Sequence, residues 1–227
     1  VWDRREFRDF ADDVEFGTRT MKVALRKLRR WARAGAPEEL DLEGTVAGTA
    51  KNAGLLDLRL RPERRNAVKV LMLLDVGGSM DDYVRQVEEL FSAARAEFKH
   101  LEHYYFHNCL YESVWRDSRR RHDNRIATRD LLHTYGPDYK VVFVGDATMS
   151  PYEITTIGGA NEHWNEEAGA TWLARVRETW RRHAWLNPQP EAWWGAHQSI
   201  GMVQRLLEGR MYPLTLAGLD DAIRALR

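Results

Sequence analysis

Apolar residues follow one rhythm in the first quarter of the chain and another after it. In Thr18–Ala34, Met21, Leu25, Leu28 and Ala32 recur at helical spacing with Trp31 beside them, and Gly35 and Pro37 close the element. Asp41–Gly54 reads as a second helix of small residues, capped by Asp41 and ended by Gly54. Leu56, Leu58 and Leu60 then alternate with Asp57, Arg59 and Arg61, the pattern of a half-exposed strand. Pro62–Asn66 is a turn region leading to the unbroken apolar run Val70–Leu74. Such a run, bounded by glycines, predicts a strand buried on both faces at the centre of a parallel sheet. The alternating strand is expected to pair antiparallel with it. Ahead of all this, Trp2–Phe16 scatters aromatic residues among charges and predicts a short helix or an irregular arm.

From Val68 onward strand and helix patterns take turns. Tyr83, Val87, Leu90, Phe91 and Ala94 make an amphipathic helix ending near Lys99. Leu101–His107 and Leu110–Trp115 are strand-like, joined by a tight Asn108-Cys109 turn, and Thr128–Tyr135 is a short helix. Lys140–Gly145 is a second buried strand. Pro151–Gly169 is mostly loop, a length more often functional than idle. Helices at Thr171–His183, Ser199–Leu207 and Leu216–Leu226, with strands at Ala184–Leu186 and Met211–Leu214, complete the order. Alternation of this kind predicts an α/β domain with a doubly wound, mostly parallel, Rossmann-like sheet and helices on both faces. The expected division is a helical N-terminal segment, 1–54, and an α/β domain, 55–227.

Composition narrows the classes. With 44% apolar residues the 227-residue chain can build a core, and its 34 basic and 34 acidic side chains leave no global field for nucleic acid or membrane. Basic groups do cluster at Arg26–Arg33, Arg61–Arg65 and Arg119–Arg121, which keeps an acidic partner surface or RNA open as a lesser reading. No run of about 18 apolar residues marks a membrane span. The single Cys109 excludes internal disulfides and fits a reducing, cytoplasmic setting. The chain opens at Val1 in mid-pattern, so residues are expected to precede it.

The chemistry gathers at strand ends. Val70–Leu74 runs into Asp75, then Gly77, Gly78 and Ser79, where the next helix begins. Open α/β sheets place their ligands at the carboxyl ends of such strands. Asp146 follows KVVFVG as Asp75 follows VLMLL. If the two strands are neighbours, their carboxylates face one crevice, and two close carboxylates repel unless a cation lies between them. Oxygen-only ligands suit a hard ion, Mg²⁺ or Mn²⁺. Thr128, at the start of its helix, is the choice for a third element, with Thr148 and Ser150 as competing hydroxyls.

Residues 75–80, DVGGSM, resemble the DxSxS signature of von Willebrand factor A (VWA) domains. That family's metal site draws on DxSxS, a Thr and an Asp from three loops. The resemblance carries metal roles to Asp75, Ser79 and Asp146, and to Thr128 loosely. Gly77 stands where the pattern has serine, which removes one hydroxyl ligand. The order of elements from Val68 to Leu226 fits the family's fold. The preceding segment, with Gly44-Thr45, is similar to bacterial CoxE-like proteins, VWA proteins that work beside MoxR-type AAA+ ATPases. DATMSPYE and WLNP…WW also look like a bacterial VWA subgroup.

Each residue has a plainer alternative. Ser79 and Asp82 can form a helix-capping pair, Asp146 can simply shape a turn, and Thr128 can start a helix without binding anything. Trp193-Trp194 on a loop can anchor a partner or tuck onto the C-terminal helix. His100, His103 and His107 lack a Cys or acid to complete a zinc set, and no nucleophilic triad or phosphate loop is present. The favoured reading is therefore a metal-dependent protein-binding module rather than an enzyme, with a partner carboxylate completing the ion's shell. A phosphoester hydrolase using the same ion is the alternative, with Asp82 or Glu153 as its base.

Overall fold

The computed structural model describes residues 17–29, 31–117 and 124–227. The arm read at Trp2–Phe16, Arg30, and the cluster Arg119–Arg121 lie outside them. By its contacts the chain divides into two compact units, one of them Arg29–Val68 and the other holding everything from Lys69 on together with the first helix. The sequence pattern instead placed the division at residue 54.

The first helix, α1 (Thr18–Arg26), stops earlier than the Leu28–Ala32 periodicity predicted. Its polar residues are tied within its own unit, which fixes where it ends. Arg26 pairs with Glu97 at 3.2 Å, Lys27 with Asp220 at 2.7 Å, and Arg227 donates to the Lys27 carbonyl at 2.6 Å.

The smaller unit is a strand, a helix and a strand: β1 (Trp31–Leu40), α2 (Leu42–Lys51) and β2 (Leu60–Asn66). Asp41 caps α2 by accepting from the Gly44 N–H at 3.2 Å, as its sequence position predicted. The strand pairing differs from expectation. β2 pairs antiparallel with β1 and adds nothing to the main sheet, and residues 62–66 are strand rather than turn. Leu56 and Leu58 precede that strand and are exposed. What sets this register is polar: Thr45 Oγ1 accepts the Arg59 N–H at 2.9 Å, and Arg61 binds Glu39 and Asp41. An alternating Leu pattern cannot choose its partner strand.

Seven strands form the main sheet. β3 (Lys69–Asp75), β4 (His100–Phe106), β5 (Ser113–Trp115), β6 (Arg125–Ala127), β7 (Lys140–Val144), β8 (His183–Asn187) and β9 (Met211–Pro213) stand in the order β6-β5-β4-β3-β7-β8-β9. β3 is parallel to both β4 and β7, and β7, β8 and β9 continue parallel; β5 alone runs against the others, antiparallel to both β4 and β6. This is the doubly wound, mostly parallel sheet that the sequence predicted. The chain leaves β3 toward β4 and later returns to β7 on its other side, so the switch point lies at the carboxyl end of β3.

Alternate residues of β3 feed two cores. Val70 and Met72 face Leu25 of α1, Leu90 and Ala94 of α3 (Val84–Glu97), and Leu219 and Ile223 of the last helix, Leu216–Ala225. Leu71 and Leu73 belong to the opposite core with Phe143, Trp185 and Trp180. That side is covered by α4 (Thr128–Thr134), α6 (Gly169–Thr179) and α7 (Gln198–Leu206), with the short α5 (Pro151–Thr155) against α6 and α7. Phe143 and Trp185 stack at 5.2 Å, and the indole of Trp185 donates to the Gly145 carbonyl at 2.7 Å. Those two contacts tie the end of β7 to β8. No helix among the described residues is long and apolar enough to cross a membrane.

Candidate metal centre

Asp75 is the last residue of β3 and is 1% exposed. Its Oδ1 accepts two backbone N–H bonds, from Gly77 at 2.8 Å and from Asn108 at 2.9 Å. Its Oδ2 is equally buried and has no hydrogen-bond partner among the described residues. Burial first, and then the charge of Asp146, push the Asp75 carboxyl up to about 8; the two N–H bonds only partly offset this. A buried carboxylate oxygen without a donor is costly, on the order of several kcal/mol when charged, and asks for a cation or a proton. Close packing makes the place specific. A Cβ on Gly145 would lie 2.8 Å from Asp75 Cβ and 3.1 Å from its Oδ2, so any larger residue at the end of β7 would force Asp75 to shift.

Asp146 follows Gly145 and is 2% exposed. Its carboxylate closes a tight turn, accepting from the Thr148 N–H at 3.0 Å and from the Thr148 hydroxyl. Ala147 between them is left-handed, with φ 55°, and the Asp146 carbonyl accepts from Asn187 Nδ2 at 2.8 Å. So the turn-forming job foreseen for Asp146 is present, on a residue whose charge also reaches Asp75.

Ser79 is exposed in the 3₁₀ helix Gly78–Tyr83, whose N-cap is Gly77 with no side-chain cap. Its hydroxyl does not cap that helix. Thr128 opens α4 and is fully buried; its hydroxyl donates to the Tyr111 carbonyl at 2.5 Å and its N–H to the Glu112 carbonyl at 2.7 Å. The hydroxyl proton is therefore committed while its lone pairs are not. Gly77 hydrogen-bonds Asp75 and Asp146 acts on it through its charge; Ser79 follows in the next helix, and the Thr128 hydroxyl is tied to the Tyr111 carbonyl.

Two further residues matter here whose contact with each other the sequence did not show. Asn108 sits at the β4–β5 turn in a left-handed conformation, φ 55°. Its Nδ2 donates to both Glu153 carboxylate oxygens, at 3.2 and 3.3 Å. Glu153 is fully buried in α5 and also accepts from Asn161 Nδ2 at 3.0 Å and from the Tyr111 hydroxyl at 3.3 Å. Burial raises its pKa, opposed mainly by the Asn108 bond. The sequence offered Glu153 as a base for hydrolysis; in the structure it is the third position of a capping box opened by Ser150. Nothing local marks Asn108 beyond the residue type that left-handed turns favour.

Other sequence candidates have structural duties. His103 packs edge-on against Phe91 at 4.8 Å, and His107 pairs with Glu162 at 3.2 Å. Burial pushes the Cys109 thiol far up, which makes it a poor nucleophile. Trp194 is buried with its indole on the Gln189 carbonyl, while Trp193 is exposed. Among the described residues no three His, Cys, Asp or Glu side chains are placed to hold a metal. An ion here must therefore draw on hydroxyl or amide oxygens as well as Asp75. The orphaned Oδ2, the glycine-lined cradle and an all-oxygen donor set fit a hard divalent cation.

A doubly wound sheet carrying an acidic, glycine-lined loop at its switch point is the arrangement expected of a VWA-type domain. Residues 15–134, more than half of the chain, match the family described as "VWA domain containing CoxE-like protein", and the chain belongs to it. No curated protein and no solved structure gives a match. Family membership places the chain among protein-interaction modules.

Proposed function

We propose that this chain is a metal-dependent protein-interaction module whose docking site is the loop Asp75–Ser79. The observation that supports it most is the buried Asp75 Oδ2, a carboxylate oxygen held in place through its sister atom yet lacking any donor of its own. Asp75 and Ser79 would hold Mg²⁺ or Mn²⁺, with Thr128 and Asp146 completing the set directly or through water, and Gly77 keeping the loop close. The ion supplies an electrophilic contact for an acidic side chain of a partner protein. As the family resemblance implies, that partner is a MoxR-type AAA+ ATPase, working with this chain in the cytoplasm.

Calorimetric titration of Mg²⁺ and Mn²⁺ into wild type and Asp75→Ala tests the ion. Pull-down of the ATPase with and without chelator tests the partner. Saturable binding to wild type alone, with chelator-sensitive capture, is the expected outcome. Capture by Asp75→Ala equal to wild type would show that the interface does not use the metal.

Hydrolysis of phosphoesters by the same ion is the less favoured reading, because its base would have to be Asp82 or Glu153. Glu153 is sealed by Asn108, Tyr111 and Asn161, which suits a structural carboxylate better than one that takes a proton from water. An RNA-binding role is disfavoured as well, since Arg26, Lys27 and Arg61 are engaged with acids.

A further inference from the structure

The absence of a side chain at position 77 has a physical partner. A Cβ built on Gly77 would lie 2.2 Å from Asn108 Oδ1 and 3.2 Å from Asp75 Oδ1. No real Cβ approaches an oxygen that closely, so the Asn108 amide already fills the space a serine at 77 would take. The amide is also oriented. Glu153 is an acceptor, so the Asn108 nitrogen must face it, and both Glu153 oxygens receive that nitrogen. The oxygen is thereby turned toward Gly77 and Asp75. The backbone ties the same residue to the same carboxylate, because the Asn108 N–H donates to Asp75 Oδ1 at 2.9 Å.

Charge favours an amide here. The carboxylates of Asp75, Asp146 and Glu153 already outweigh a divalent cation, and both others raise the Asp75 pKa. A neutral amide oxygen is a good ligand for a hard cation and adds no further negative charge. Resting on the metal reading above, we propose that Asn108 supplies through Oδ1 the oxygen ligand that position 77 lacks, and that Glu153 holds it in that orientation. The site is then a variant in which one ligand moved from the β3 loop to the β4–β5 turn.

The test uses Asn108→Gly, because glycine tolerates the left-handed backbone at 108 and keeps the N–H bond to Asp75. Mn²⁺ and Mg²⁺ affinities are measured by calorimetry for wild type, Asn108→Gly, and the double variant Gly77→Ser/Asn108→Gly, with thermal unfolding in chelator as the control for folding. The expected result is an affinity at least about tenfold weaker in Asn108→Gly, recovered in the double variant, where serine has the room the amide vacated. Equal affinity in wild type and Asn108→Gly overturns the assignment while leaving the metal site standing. A loss in Asn108→Gly with no recovery in the double variant makes Asn108 a positioning residue only and overturns its role as ligand. No binding to wild type overturns both this inference and the metal reading beneath it.

Discussion

Asp75 and Gly145 meet across neighbouring strands so closely that a Cβ on Gly145 would lie 2.8 Å from Asp75 Cβ and 3.2 Å from the Trp185 ring. The glycine is therefore part of what lets a carboxylate sit at the switch point. Gly145→Ala is expected to force Asp75 or Trp185 aside. Overpacking of this kind costs about 1–3 kcal/mol, measurable by urea unfolding, and Mg²⁺ affinity should fall with it. Unchanged stability and affinity would mean the two strand ends separate at little cost.

Without an ion the Asp75 carboxyl titrates near pH 8, raised by burial and by Asp146. The folded protein thus holds this proton more tightly than the unfolded chain does. Its contribution to stability is fully present below about pH 4, and is lost as pH rises through about 8. Metal-free protein should therefore lose part of its stability across that window. Added Mg²⁺ should stabilise more at pH 8 than at pH 6, since it competes with the proton. Thermal unfolding at a series of pH values, with Asp75→Asn as the variant whose profile flattens, checks this.

Thr128 donates its hydroxyl proton to the Tyr111 carbonyl, and in the proposed site its lone pairs would serve the ion. Thr128→Ser should keep both. Thr128→Val leaves a buried carbonyl without its donor, at a cost of about 1–3 kcal/mol, and should also weaken Mn²⁺ binding. A Val variant that loses stability but binds Mn²⁺ as wild type does would confine Thr128 to the structural role.

One buried side chain makes three of the hydrogen bonds that hold the loop after α5. Asn165 donates to the carbonyls of Thr156 at 3.1 Å and Glu167 at 2.9 Å, and accepts from the Ala160 N–H at 2.9 Å. Asn165→Ala is expected to cost on the order of 3 kcal/mol and to speed proteolysis between residues 156 and 167. Because Asn161 from this loop supports Glu153, metal affinity should drop modestly too. Protection from proteolysis equal to wild type would show that the loop has other anchors.

Where sequence reasoning succeeded, it used signals that are local. Five apolar residues in a row before Asp75 can only be satisfied by burial on both faces, so β3 and its terminal acid were legible. The same holds for β7 and Asp146 and for Asp41 at the start of α2. Failure came where the same pattern admits two partners. Leu56, Leu58 and Leu60 gave a period without a neighbour, and α1 shared its period with residues that belong to β1.

The sequence by itself determined that a carboxylate, a glycine-rich loop and a hydroxyl stand at the end of a central parallel strand, because periodicity and turn chemistry act over a few residues. Tertiary structure alone decided what surrounds them. Asn108 is 33 residues from Asp75, and Glu153 is 45 from Asn108. Their meeting depends on β4 lying beside β3 and on α5 folding back over the β4–β5 turn. Whether Gly77 is a lost ligand or a space filled by another residue's oxygen is likewise a matter of packing, since steric exclusion acts between atoms that only the folded chain brings together.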